Sequence, residues 1–123
     1  MSYPVDYSSK KVLLFVGRSN FASDSLVEAL RFAIGLSCGI VGHKVDVVFI
    51  ADGVTDCMAE RIEEAKVRPY FLSAKSYGIS FWADESSLKQ RSIDKERLFK
   101  DCNVVNADSL VELLNSSDIH LRL

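Results

Sequence analysis

Residues 80–92 read SFWADESSLKQRS. The apolar run from Ile79 to Ala83 stops at an aspartate, and a short helical pattern, Asp84 to Arg91, begins at once. A strand that passes straight into a helix is the repeating unit of an α/β fold. Whatever occupies the junction faces the free N–H groups of the first helical turn. Asp84 is suited to cap them and to complement the helix dipole, worth up to about 1 kcal/mol.

The same unit recurs on either side. Lys11 to Gly17 (KVLLFVG) is a continuous apolar run closed by glycine, the pattern of a strand covered on both faces. After the loop Arg18 to Ser23, Leu26, Ala29, Leu30, Ala33 and Ile34 fall at helical spacing, with Ser23 or Asp24 as the expected cap of a helix over residues 24–36. Val41-Gly42-His43 reads as a turn. Val45 to Ala51 is the second strand, closed by Asp52-Gly53. Thr55 or Asp56 is expected to cap a helix reaching about Val67, with Met58, Ile62 and Ala65 inward. Pro69 suits the first turn of a further short helix ending near Gly78. Asp94 to Lys100 reads as a turn of helix or a loop. Asn103 to Val105 is a short fourth strand, Asp108 the expected cap of the helix carrying Leu110, Val111, Leu113 and Leu114, and Ile119 to Leu123 the last strand.

Strand and helix alternate four times and a fifth strand follows, which predicts a mostly parallel five-stranded sheet with helices on both faces. Right-handed crossovers follow from strand twist, while the strand order is not written in the pattern. Residues 1–10 are polar and read as a flexible arm, and residues 11–123 as a single domain.

The chain has 123 residues, 48% apolar and 26% charged, with net charge -2. That suffices for one domain with one core, and it lacks the basic balance of a protein that grips nucleic acid by charge. Cys38, Cys57 and Cys102 are odd in number and lack CxxC spacing, which disfavours a disulfide framework or a zinc knuckle and favours a reducing compartment. With no apolar signal core and no run of membrane-spanning length, the cytoplasm is the expected location.

In an open parallel sheet, ligands sit beyond the carboxyl ends of the strands. Four loops meet that condition: 17–24, 52–57, 84–87 and 106–109. The first, GRSNFASDS, is neither GxGxxG nor a P-loop, so no nucleotide cofactor is expected. Arg18 and Asn20 have the chemistry for a small anion at a helix N-terminus, although a solvated connection is the plainer reading. Cys57 falls in an expected first helical turn, where N–H groups favour a thiolate, but Asp52 and Asp56 oppose a second negative charge and a packing role is the plainer reading. Cys38 is expected in the core, and Cys102 is expected to be structural. His43 and His120 stand far apart, in no metal or triad pattern, so no metal site is expected. Phe81 and Trp82 read as packing groups. Tyr70, Phe71 and Tyr77, with the helix over 24–36, are candidates for an exposed apolar face, or alternatively for the core.

Three segments carry a resemblance. VFIADGV (48–54), YGISFWADESSLKQRSI (77–93) and the closing SDIHLRL (117–123) resemble the DsrE/DsrF family of small sulfur-relay proteins, most of all its DsrF/TusC branch. The resemblance spans about residues 11–123. It implies a three-layer α/β/α sandwich, and assembly into trimers or hexamers, homomeric or with DsrE-like and DsrH-like chains. In DsrE/TusD-type members, a cysteine opens the helix after the third strand and carries a persulfide, within a C-x-x-S-L-x-x-R-G segment. Matched to that segment, Asp84 stands where the cysteine would be, Ser87, Leu88 and Arg91 agree, and Ser92 replaces the usual glycine. A carboxylate cannot carry sulfane sulfur, so the resemblance implies a non-catalytic subunit of a sulfur-relay assembly, serving tRNA thiolation or sulfur metabolism. The alternatives are an active carrier using Cys57, or a small-anion-binding homo-oligomer using Arg18 and Asn20. The candidate crevice comprises Arg18, Asn20, Asp52, Gly53, Asp84 and Ser87.

Overall fold

The structure, a computed structural model, describes residues 8–18, 25–64 and 67–123. Five strands form one sheet in the order β4-β3-β2-β1-β5, with every neighbouring pair parallel. They are β1 (Lys11–Val16), β2 (Lys44–Phe49), β3 (Ser80–Asp84), β4 (Cys102–Val105) and β5 (Ile119–Arg122). The helices are α1 (Ser25–Ser37), α2 (Ala59–Glu64), α3 (Arg68–Ser76), α4 (Glu85–Gln90) and α5 (Ala107–Ser116), with short 3-10 segments at Ala51–Cys57 and Lys95–Arg97.

The strand order decides where the helices lie. From β1 to β4 the chain steps the same way across the sheet, and then β5 returns to the far side of β1. Right-handed crossovers therefore put α1 to α4 on one face and α5 alone on the other. The cores divide accordingly. Val12, Leu14, Val16, Val45, Val47, Phe49, Phe81 and Ala83 pack against Leu26, Leu30 and Ala33 of α1, Phe71 and Ala74 of α3, and Leu88 of α4. Ring contacts run through this layer, with Phe71 4.9 Å from Phe81 and 5.2 Å from Phe99. On the other face Leu13, Val48 and Val105 meet Leu110, Leu113 and Leu114 of α5. The result is the expected three-layer sandwich, thick on one side and thin on the other.

Two local expectations are corrected. The helix expected from Thr55 or Asp56 to Val67 is broken at Met58, which is extended (φ -71°, ψ 131°) and bridges antiparallel to Leu98. The chain ahead of the break is a tight 3-10 segment instead, within which the Thr55 hydroxyl donates to Asp52 O at 2.8 Å. The cap of α5 is Asn106, not Asp108: its Oδ1 accepts the Ser109 N–H at 2.8 Å, and Asp108 sits in the first turn, near the positive end of the dipole. Ser23, Asp24 and Ala65 lie outside the described residues. So do residues 1–7 of the expected arm; within the rest of it, Ser9 Oγ donates to Gly42 O and Lys10 N–H to His43 Nδ1. None of the helices among the described residues is long and apolar enough to cross a membrane.

Gly53 lies so close to β1 that a Cβ there would overlap the Val16 carbonyl. Both sides of that contact are backbone, so nothing flexible can yield. Gly53→Ala is expected to lower stability by about 2 kcal/mol or more, read as a lower denaturant midpoint at unchanged slope. Ala51 (φ 49°) and Ser92 (φ 53°) occupy the left-handed region that favours glycine. Ser92 is exposed, so Ser92→Gly removes the backbone strain with little else changed. It should raise stability by about 0.5–1 kcal/mol, the left-handed penalty less the extra chain entropy of glycine.

Candidate functional site

The carboxyl edge of the sheet is where β2 and β3 release their loops. Asp84 ends β3 in extended conformation (φ -67°, ψ 121°) and caps α4. Its Oδ2 accepts the Ser87 N–H at 3.1 Å and the Ser87 hydroxyl at 2.6 Å. The Ser87 oxygen in turn accepts the Ala51 N–H at 2.9 Å. One buried hydroxyl, 6% exposed, thus ties the loop after β2 to the turn after β3. Arg91, one turn further along, closes the same junction from outside. Its Nε and Nη2 reach Asp52 Oδ1 at 3.2 and 2.8 Å, and its Nη1 donates to Ser87 O at 3.2 Å. The Asp52 carboxylate is 73% exposed, so this ion pair positions the loop more than it stabilises the fold, contributing about 0–1 kcal/mol.

Asp52, Gly53, Asp84 and Ser87 therefore lie together at one edge of the sheet. Arg18 is exposed in the loop after β1, and Asn20 lies outside the described residues. Arg91 joins the set, although it figured in the sequence only as a motif match. It and Asp52 are 39 positions apart, and no local pattern announces such a pairing. At the same edge, a Cβ on Gly17 would sit 3.2 Å from Arg122 Nη2, so the β5 arginine folds over the end of β1.

The cysteines do not gather at this edge. Cys57 is 1% exposed, at the end of the 3-10 segment rather than in the first turn of a helix. Burial pushes its thiol well above the ordinary value, and a hydrogen bond with Cys102 and the charge of Asp56 push the same way. That is the opposite of the lowering a helix N-terminus would give, agrees with the packing role that is the plainer reading of the sequence, and leaves Cys57 without the accessible thiolate a carrier needs. Cys102 is buried beside it. Cys38, expected in the core, is exposed, because α1 ends at Ser37 and the chain turns outward there; its Sγ contacts Gly35 O at 3.8 Å. Having run back from the end of β1, α1 leaves Cys38 at the amino edge of the sheet, opposite the crevice. His120 Nε2 lies 2.9 Å from Leu114 O, so both histidines serve the backbone. Among the described residues, no cluster of three or more His, Cys, Asp or Glu is arranged to hold a metal ion.

The chain is thus a parallel α/β/α domain whose loop after β2 is clamped by Ser87 and Arg91 to the strand-to-helix junction after β3. The chain belongs to the DsrE/DsrF-like family, whose pattern matches residues 10–123. The crystal structure of the ychN protein from E. coli is similar, with a TM-score of 0.75 at 16% identity, over 93% of this chain and 99% of that one. The structure of MTH1491, a protein of unknown function from Methanobacterium thermoautotrophicum, gives a TM-score of 0.74 at 13% identity, over 94% of this chain and 100% of that one. At those identities the likeness establishes the fold alone. No curated protein matches the chain.

Ser87→Ala strands the Ala51 N–H and removes one donor from Asp84. It should cost about 2 kcal/mol in chemical denaturation, more than Arg91→Ala. Stability should also respond to alkaline pH through Cys57. Well below the ordinary thiol value of 9.0 both states hold the proton, and this group exerts no pH dependence. Above it the unfolded thiol ionises while the folded one does not, so stability falls as pH rises, by up to about 1.4 kcal/mol per pH unit. Denaturation at stepped alkaline pH should show this slope, and Cys57→Ala should flatten it.

Proposed function

We propose that this protein is a non-catalytic subunit of a DsrE-type sulfur-relay assembly, closest in kind to the DsrF/TusC branch. The observation that carries the reading is Asp84. It occupies the seat that opens the helix after β3, the position of the persulfide cysteine in carrier members, and its Oδ2 is spent on the N–H and hydroxyl of Ser87. An aspartate there stabilises the turn and offers no sulfur nucleophile. The remaining crevice frame, Asp52, Gly53, Ser87 and Arg91, serves to hold the turn in the family's shape.

Exposed apolar side chains support an assembling role. Phe32 of α1, Leu72 of α3 and Tyr77 just beyond it are 44, 49 and 50% exposed on the thick face, and Val111 of α5 is 52% exposed on the thin one. Phe71, by contrast, belongs to the core at 1% exposure. The partner on this reading is a cysteine-bearing DsrE-like chain, and the compartment the cytoplasm.

Two experiments together decide the matter. Incubated with polysulfide, the intact protein should gain no sulfur at Cys57 or Cys102, whereas Asp84→Cys should gain one sulfur atom at residue 84, removable by dithiothreitol. Co-expressed with a DsrE-like chain, the protein should co-purify at fixed stoichiometry. A sulfur adduct on Cys57 in the unaltered protein, or failure to associate with any such chain, overturns the proposal.

A further inference from the structure

The face of the sheet that carries α5 is only partly roofed. Leu110, Leu113 and Leu114 seat that helix on Leu13, Val48 and Val105. Ser109, Glu112 and Ser116 fall three and four positions apart, so they form one stripe along the helix. That stripe is one wall of a cavity of about 480 Å³. Trp82 of β3 and Val105 of β4 line it from the sheet. Lys11 of β1 lines it beside Ser116, to whose hydroxyl its Nζ donates at 2.9 Å. Small-molecule sites typically enclose roughly 300–1,000 Å³, with an aromatic or apolar lining and a few polar groups that set the orientation.

The polar groups decide the sign of the charge this cavity would accept. Glu112 makes no hydrogen bond or ion pair among the described residues. Trp82 is bonded to a second carboxylate, that of Asp46 on β2, which is 3% exposed. Asp46 Oδ1 accepts the indole N–H at 3.0 Å, while Oδ2 is buried without a hydrogen-bonding partner. An unmet buried oxygen costs stability, and the next residue of β2 on that face, Val48, is apolar. A carboxylate at the indole N–H also polarises the ring and makes its face more negative. Lys11 is the one cation among the described lining residues, and its ammonium is held by a hydroxyl and not by either acid. We propose that the cavity is a binding site for a small organic cation, an aromatic amine or amidine whose ring lies against Trp82 and whose charge meets the Glu112 carboxylate. An anion would meet the repulsion of Glu112 and Asp46 together. A neutral apolar ligand would desolvate Glu112 and leave it unpaired. A cation gains both the charge-assisted bond and the attraction of the indole face. The inference is independent of the subunit role proposed above, since it needs neither a partner chain nor sulfur.

Trp82 is the only tryptophan in the chain, so indole emission, excited at the red edge of the band, reports on this cavity. The probe is benzamidine, a flat aromatic ring carrying one amidinium, titrated to millimolar concentration. A saturable change in Trp82 emission is expected. Benzamide, neutral and nearly the same shape, should bind at least about tenfold more weakly. Glu112 is exposed on α5, so Glu112→Gln leaves the core intact and should weaken benzamidine by about tenfold. The inference is overturned if benzamidine leaves the emission unchanged, or if benzamide binds as tightly. Undiminished benzamidine affinity in Glu112→Gln, with thermal unfolding matching the parent protein, overturns it equally.

Discussion

The Ser87 hydroxyl holds the carboxyl edge of the sheet together. It accepts from the backbone of the loop after β2 and donates to the carboxylate that caps the helix after β3. Two connections that share no sequence proximity are thereby made one object. The hydroxyl does this because it is both donor and acceptor and because it is buried, where an unmet partner is costly. Gly53 supplies the complementary constraint. By lacking a Cβ it lets the β2 loop settle against the Val16 carbonyl, which sets the height at which Ala51 presents its N–H. Arg91 then locks the exposed side through Asp52. Remove the serine, and the glycine and arginine hold a loop with nothing beneath it.

This frame also fixes the turn that opens α4. In this chain the seat at residue 84 is filled by a group that accepts two hydrogen bonds from the turn it caps. The aspartate is a structural participant, and the left-handed Ser92 that follows α4 shows a turn conformation held by a residue less suited to it than glycine. The geometry is held by the network and not by local backbone preference.

Most of the architecture was legible from residues, because each strand is an apolar run ended by a turn residue and each helix carries a stripe at its own period. The Asp84 cap was legible for the same reason: the aspartate stands between two periods. What escaped was non-local. Strand order depends on which crossover returns across the sheet, and β5 pairing with β1 has no signature in either segment. The break at Met58 comes from its bridge to Leu98, 40 residues away, and overrides a helical pattern that looks continuous. The α5 cap was misplaced by two positions because Asn106 and Asp108 are both good caps and only the entry angle from β4 selects between them. Cys57 was placed in the first turn of a helix that does not begin there, although the packing role favoured for it agrees with its burial.

The strand order also bears on synthesis. From β1 to β4 each new strand docks beside the one just made, so the thick layer can build up progressively as the chain leaves the ribosome. β1 keeps one side unpaired until β5 arrives, with Val12 meeting Ile119 across almost the whole length of the chain. For that interval the nascent domain shows an open, strongly apolar strand to the cell, flanked by a face that only α5 will cover.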